Sequence, residues 1–591
     1  MRFFRQLGRR SHAIFSRISG CHKSDSSIAA HCARKELADS RITRILLDTS
    51  AISEGGEGAL MKPLTTWRWN PVRGEYENGD RVPLEGTGEI SAIDAFSNKT
   101  MLLLGCTGFV GKVLLAMVLD RFPELRHLVV QVRRKKNLHG EERFYAEILQ
   151  SPPLRPIVER LGEEILRKKV QVVEGDLDQP LGGLSTEAID QLKYKVDVVV
   201  NLAGVVDFDP PVNESFATNV YGTQHLIELV QLLNAKLVHV STSYVAGKKN
   251  GRIPEEVAIG YFLLRDTHAG RHFSVAEEID WYETFVDETR ENRAGDLRPL
   301  RERLRAGGMN RAEYWGWTNT YTYTKSIGEQ LIARTPGLTY SIVRPAIVES
   351  SLHFPFAGWN EGFTTSAPLV LMGGDGVKGW PVRNGPLEVV PVDLVASGIL
   401  IVTAAVLCGK NQPVYHLASA DENPIMLPRL VAFLGMNSRY KHKHKKNGNR
   451  LANLWKAYVE TQVITVESLE VRRARLHRGL DVIHAALTLG KTILGSDKVS
   501  PYLKSLRDTR RQIRQQEVTL DKFLPFMFHN SFIFETGNVR EAARMLTKED
   551  LNRLQWDPKS IDWADYWVNI HTKGIEKWIR PVFAGREKRG Q

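Results

Sequence analysis

From Thr100 to Pro345 short runs of Val, Leu and Ile recur, each followed by a longer stretch with helical spacing. The runs are MLLLG (101–105), HLVVQVR (127–133), VQVVEGD (170–176), VDVVVNLAG (196–204), KLVHVST (236–242) and TYSIVRP (339–345). Uninterrupted apolar runs of this length mean strands covered on both faces, and their alternation with helices means a parallel sheet. The fold class is therefore α/β, a doubly wound parallel sheet of Rossmann type. A charged helical insertion at 248–317 interrupts the alternation, and after Met436 the composition turns basic and helical. The expected organisation is a basic tail (1–60), an N-terminal extension (61–96), the sheet domain (97–435) and a smaller helical C-terminal domain (436–591). At 591 residues and 42% apolar content the chain can bury a core in each larger unit.

The first strand runs directly into Gly105, Gly108 and Gly111, within GCTGFVG, and a helical pattern follows at once. Glycines spaced this way let a backbone approach a pyrophosphate, whose charge is stabilised by amides at the helix N-terminus. A cofactor ribose with a free 2′-hydroxyl calls for an acidic residue about 20 positions on. The second strand ends instead in Arg133, Arg134, Lys135 and Lys136. Cations there suit a 2′-phosphate, so the expected cofactor is NADPH. In Glu174-Gly175-Asp176-Leu177 a carboxylate is available to an adenine amino group. Asn201-Leu202-Ala203-Gly204 ends the fourth strand with small residues that a cofactor can lie against.

The fifth strand ends in Ser241-Thr242-Ser243-Tyr244, and NTYTYTK follows at 319–325. Tyr321 and Lys325, four apart, project from one face of a helix. An ammonium beside a phenol stabilises the phenolate and lowers its pKa, which makes Tyr321 a usable proton donor. Tyr323 has Ile327 at the matching offset and lacks that partner. These residues by themselves argue for carbonyl reduction.

The chain resembles the extended short-chain dehydrogenases/reductases and, within them, the alcohol-forming fatty acyl-CoA reductases. The resemblance rests on GCTGFVG, VRRKK, EGDL, VSTSYV, NTYTYTKSIGEQ, SIVRPAIVESS, PFAGWNEGF and the C-terminal stretch from FIFETGNVREAARML to GIEKWI. It runs from about residue 97 to 580 and is thin across 437–525. It implies Tyr321 as general acid, Lys325 as its tuning partner and Thr242 as the hydroxyl on the substrate carbonyl, with Ser243 a competitor. It further implies cofactor contacts from Gly105, Thr107, Gly108, Phe109, Val110, Gly111, Arg133, Arg134, Lys135, Asp176, Leu177, Ala203, Lys325 and Pro345. The implied reaction is NADPH-dependent reduction of a long-chain fatty acyl-CoA through aldehyde to primary alcohol. The alternatives are a reductase that stops at aldehyde, a nucleotide-sugar epimerase of the same superfamily, and a non-catalytic NADPH-binding protein. Leu104, before the first glycine, departs from the family pattern of Thr.

An acyl chain needs an apolar trough, for which the insertion, the helices after 450 and Phe354, Phe356, Trp359 and Phe363 are candidates. Asp393, opening an apolar helix, reads as a helix N-cap. The formal charge of +12 points to an anionic partner. Cations at 439–450, 472–478 and 504–514 could meet CoA phosphates, an acidic acyl carrier protein or anionic lipid. Nucleic acid is excluded for want of any accompanying motif. Cys21, Cys32, Cys106 and Cys408 form no CxxC, so neither a disulfide framework nor a metal site is expected. The expected location is cytoplasmic with peripheral membrane contact. The Arg- and Ser-rich start, lacking an acidic residue before Asp25, leaves organellar targeting open.

Overall fold

Residues Thr100–Leu104 form β1, buried at every position. In chain order there follow α1 (Phe109–Arg121), β2 (His127–Val132), β3 (Val170–Glu174), β4 (Val198–Asn201), α2 (Gly222–Leu233) and β5 (Lys236–Val240). Then come α3 (Val275–Glu291), α4 (Leu297–Trp315), α5 (Thr320–Ala333), β6 (Tyr340–Pro345), α6 (Val392–Leu407), β7 (Val414–Leu417), α7 (Leu427–Lys443), α8 (Val466–Leu494) and α9 (Ser496–Leu524). The computed structural model describes residues 67–70, 75–78, 85–256, 273–291, 297–363, 365–444, 450–494 and 496–583. Expectations for the tail 1–60 lie outside these residues.

The seven strands form one sheet in the order β3-β2-β1-β4-β5-β6-β7, and every pair is parallel. Leu102 stands opposite Val129 on one side and Val199 on the other. Because strand side chains alternate, Met101 and Leu103 enter the core shared with α1 and α6, whereas Leu102 and Leu104 enter the core shared with α2. Leu104 is thus ordinary core. Helix α6 is buried from Val392 to Val406, and its apolar residues belong to the same core as those of α1 and of helix Gly537–Arg544. That enclosure is why its sequence is apolar all round.

The six expected strands are present; β1 is shifted by one residue at the same length, and the others are shorter than their apolar runs, β4 the most. β7 was not expected. Its sequence VYHL is four residues long, lies among turn residues and carries a histidine into the core.

The insertion is helical, as α3 and α4, with a short strand Gly251–Ile253 before them. That strand pairs in parallel with Phe532–Phe534 and ties the insertion to the C-terminal region. Helix α7 runs without a break through the expected boundary at 435/436. The described residues all fall in one compact unit, Thr66–Gln591.

Candidate functional site

The sheet order reverses between β1 and β4, and there the ends of the two strands leave a crevice. Gly105 leaves β1 at φ +83°, and a Cβ on it would lie 2.6 Å from Ala203 N. A Cβ on Gly111 would lie 2.1 Å from Gly105 O. Both glycines are therefore fixed by the protein's own backbone. Gly108 is different: a Cβ there meets nothing closer than 3.5 Å. It precedes α1, whose N-terminus has no side-chain cap and no acid in its first turn. An open helix start against a bare backbone fits a bound phosphate group.

Gly105, Thr107, Gly108, Arg133, Asp176, Leu177 and Ala203 line one cleft. Gly204, expected with Ala203 at the end of β4, lines it as well, and so do Gln131, Arg143 and Thr218, which sequence reasoning missed. Arg143 Nη1 donates to the backbone oxygen of Arg133 at 2.8 Å, and both residues line the cleft. Arg133 lies 3.7 Å from Asp176 Oδ1. Lys135 is turned to Glu147 at 2.8 Å, and Arg134 is exposed outside the cleft lining. Glu174 accepts the Gly140 N–H at 2.7 Å, which leaves Asp176 as the carboxylate at the cleft. Phe109 and Val110 open α1 and pack on the core, and Pro345 ends β6, buried.

Thr242 sits where β5 gives way to a short turn, and its Oγ1 accepts the Tyr244 N–H at 3.3 Å. Tyr321 lies in the first turn of α5, capped by Asn319, and its hydroxyl is hydrogen-bonded to Thr242. Ser243 points elsewhere, donating to Arg344 O at 2.6 Å. Tyr321 as a residue is half-buried, while its hydroxyl is enclosed.

Burial pushes the Tyr321 phenol up to about 12, with the Thr242 hydrogen bond partly offsetting it. The same cause pushes Lys325 down to about 8. The expected lowering of the phenol by a neighbouring ammonium is thus not what the site shows. Both side chains are enclosed, and burial disfavours both charged forms. Lys325 Nζ donates to Val240 O at 2.8 Å and lies 3.2 Å from His239 Nε2. A Cβ on Gly204 would come within 3.7 Å of Nζ, so the amine faces the cleft. Tyr323 bonds to buried Glu278 of α3, which also takes Arg311 and Trp315, and so anchors the insertion to α5.

Beyond Tyr321 lies a second, apolar space. Phe208 stands 6.4 Å from the Tyr321 ring and 5.4 Å from Phe526, centroid to centroid. Phe526 lines a cavity walled by Trp380, Leu430, Leu434, Phe523 and Met527. Helix α9 supplies Phe523, so the helices after 450 do contribute a wall. Phe354, Phe356, Trp359 and Phe363 do not. Phe356 and Trp359 pack on Trp578, Phe363 on Phe583, and Phe354 under Arg121. Asp393 is not the N-cap of α6, a position held by Pro391; it accepts the backbone N–H groups of Leu352, His353 and Phe354.

Among the described residues no cluster of His, Cys, Asp and Glu could hold a metal ion. The male sterility protein model, an NAD-binding family, matches residues 103–399. A probable fatty acyl-CoA reductase 4 of Arabidopsis thaliana is 26% identical, over 83% of this chain and 99% of the relative. An alcohol-forming fatty acyl-CoA reductase of Simmondsia chinensis is 27% identical over 83% of this chain and 99% of its own. The terminal reductase domain of the myxalamid biosynthetic pathway, 18% identical, aligns with a TM-score of 0.45 over 85% of this chain and 94% of its own. With a match over half its length, a seven-stranded parallel sheet and a glycine-turn cleft, the chain belongs to the male sterility protein family, Rossmann-type NAD(P)-binding oxidoreductases among which fatty acyl-CoA reductases are its relatives.

Proposed function

We propose that the protein is an NADPH-dependent reductase that converts long-chain fatty acyl-CoA through aldehyde to primary alcohol. One observation carries the reading: Tyr321, bonded to Thr242, is linked through Phe208 and Phe526 to an apolar cavity and lies one helical turn from Lys325, whose amine faces the dinucleotide cleft. A nucleotide-sugar substrate has no use for a cavity walled by Trp380, Leu430, Leu434 and Met527.

The N-terminus of α1 and Gly108 would hold the pyrophosphate, and Arg133 with Arg143 the 2′-phosphate. When bound, the nicotinamide supplies a hydride to the carbonyl carbon. The chain's residues act on the carbonyl oxygen. Thr242 orients it, and the Tyr321 O–H donates to it as negative charge develops. A phenol held this high stays protonated across the working pH range, ready to donate. Phe208 and Phe526 cover the reacting end and exclude water, and the apolar cavity beyond, about 40 Å³ here, widens to take the chain. Purified protein and Tyr321→Phe are to be compared with NADPH and acyl-CoA. The expected result is turnover lower by about 100-fold or more with NADPH affinity unchanged; equal turnover would reject the assignment.

We also infer that α8 and α9 meet an anionic lipid surface from which substrate is drawn. The outer face of α8 carries Val471, Arg475, Arg478, Val482 and Leu489 exposed, with Ile483 beside them, while Leu480 is buried. Lys504, Arg507, Arg511 and Arg514 lie exposed on α9. Apolar side chains flanked by cations are the pattern of a helix lying in a membrane interface. Among the described residues no helix is long and apolar enough to cross a membrane.

A further inference from the structure

His239 is enclosed between the end of β4 and the middle of α5. It is 1% exposed, its Nδ1 lies 3.2 Å from Asn201 Nδ2 and its Nε2 lies 3.2 Å from Lys325 Nζ. Asn201, itself fully buried, is oriented by its own chain: Oδ1 accepts the Ala203 N–H at 3.0 Å, which leaves Nδ2 facing the ring. An amide NH2 group only donates, so Nδ1 is the bare nitrogen of the imidazole. Desolvation by burial holds the ring neutral. A neutral ring with bare Nδ1 carries its proton on Nε2, and that N–H is aimed at Nζ. Nζ must then accept, which a free amine does and an ammonium cannot. Lys325 spends one of its own hydrogens on Val240 O, at 2.8 Å. Protonation removes the lone pair and leaves two N–H groups facing each other.

The other groups around Lys325 do not cancel this effect. Glu329, one turn along α5, favours the ammonium, but its carboxylate is held by Arg344 of β6 in a buried pair. Tyr321, one turn back, is a neutral phenol turned to Thr242. The loop after β4 presents Gly204, and Asn219 is spent on Val205 and Thr324.

We propose that Asn201 and His239 are positioning residues that bias Lys325 toward the free amine and couple its protonation to the loop carrying Ala203 and Gly204. The inference rests on the reductase reading and deepens it. Ala203 and Gly204 line the dinucleotide cleft, so the grip of Asn201 on the Ala203 amide links the state of the cleft to the proton inventory of the site.

Two measurements decide it. In the cofactor-free full chain labelled with [15N]histidine, with His239→Met identifying the signal, the expected ring at pH 9 has a bare Nδ1 and a protonated Nε2. A proton on Nδ1 overturns the proposal whatever the catalytic activity. The second is the alkaline limb of kcat/KM against pH, which under the reductase reading follows loss of the Lys325 ammonium, the group that titrates below the Tyr321 phenol. Asn201→Asp keeps an oxygen on the Ala203 N–H and gives Nδ1–H an acceptor, which turns a bare Nε2 toward an ammonium. The limb should move up by about one pH unit or more, and His239→Met, which deletes the opposing N–H, should move it the same way. Lowered kcat with an unmoved limb in both variants marks a merely structural role and overturns the proposal. Absence of acyl-dependent NADPH oxidation by the unmodified protein would instead reject the reductase reading, and the tautomer would still decide this one.

Discussion

Thr242 and Ser243 are adjacent hydroxyls with opposite surroundings, and the difference sets separate expectations for them. Thr242 faces Tyr321, whereas Ser243 is spent on the backbone of β6. Thr242→Val should lower kcat by about 100-fold, as the loss of one oxyanion donor does, and cost about 1 kcal/mol of stability through the lost acceptor for the Tyr244 N–H. Ser243→Ala should keep turnover and cost about 1 kcal/mol of stability through the lost bond to Arg344 O. Steady-state kinetics and thermal melts on the pair check both, and the reverse pattern would exchange the roles. Tyr321 and Lys325 were legible from their spacing, because i and i+4 share a helix face whatever the tertiary fold. Their electrostatics were not. A sequence gives the neighbour but not the burial, and burial is the first cause acting on both groups.

At the scale of elements, β1, α1 and the turn between them follow from local sequence, since Gly105 and Gly111 are constrained by atoms a few residues away or across one strand pair. The cleft's remaining wall was only half legible. Arg133 follows directly from β2, but Arg143 arrives by way of a separate short helix, and Thr218 from the segment after β4. No periodicity announces such a convergence. The apolar cavity was misplaced for a similar reason: the aromatic cluster at 354–363 is spent on the C-terminal helices, and the walls come from α7, α9 and the segment around Trp380. The long pair α8 and α9 makes its own prediction. Replacing Val482, Ile483 and Leu489 together by Asp should abolish sedimentation with vesicles containing phosphatidylserine, while turnover on dispersed acyl-CoA is retained. Neutral vesicles should bind the unmodified protein far less, and binding that ignores both the variant and the lipid charge would exclude this face as the lipid contact.

Over the whole molecule, buried titratable groups set how stability depends on pH. Burial raises Glu255 and Glu349 to about 7 and Glu388 to about 8. In the window from their ordinary range near 4.5 up to these values the folded chain holds protons that the unfolded chain has released, so stability falls as pH rises. Burial lowers His416 and His571 to about 3, and between there and 6.5 the unfolded chain binds more protons, so stability rises with pH. The two sets oppose one another between about 4.5 and 6.5 and act singly outside it. Melting temperatures measured from pH 3 to 9 should therefore show a plateau on the acid side of neutrality, an acid fall and a decline toward pH 8. A maximum at pH 8 would contradict the burial of those carboxyls. The account rests on Tyr321, which Phe208 and Phe526 link to the apolar cavity and which lies one helical turn from Lys325 at the dinucleotide cleft. The most direct test counts NADPH oxidised against CoA thiol released from a long-chain acyl-CoA, with the product identified. Two NADPH per thiol and a primary alcohol are predicted; NADPH that is bound but never oxidised in the presence of acyl-CoA would contradict the account.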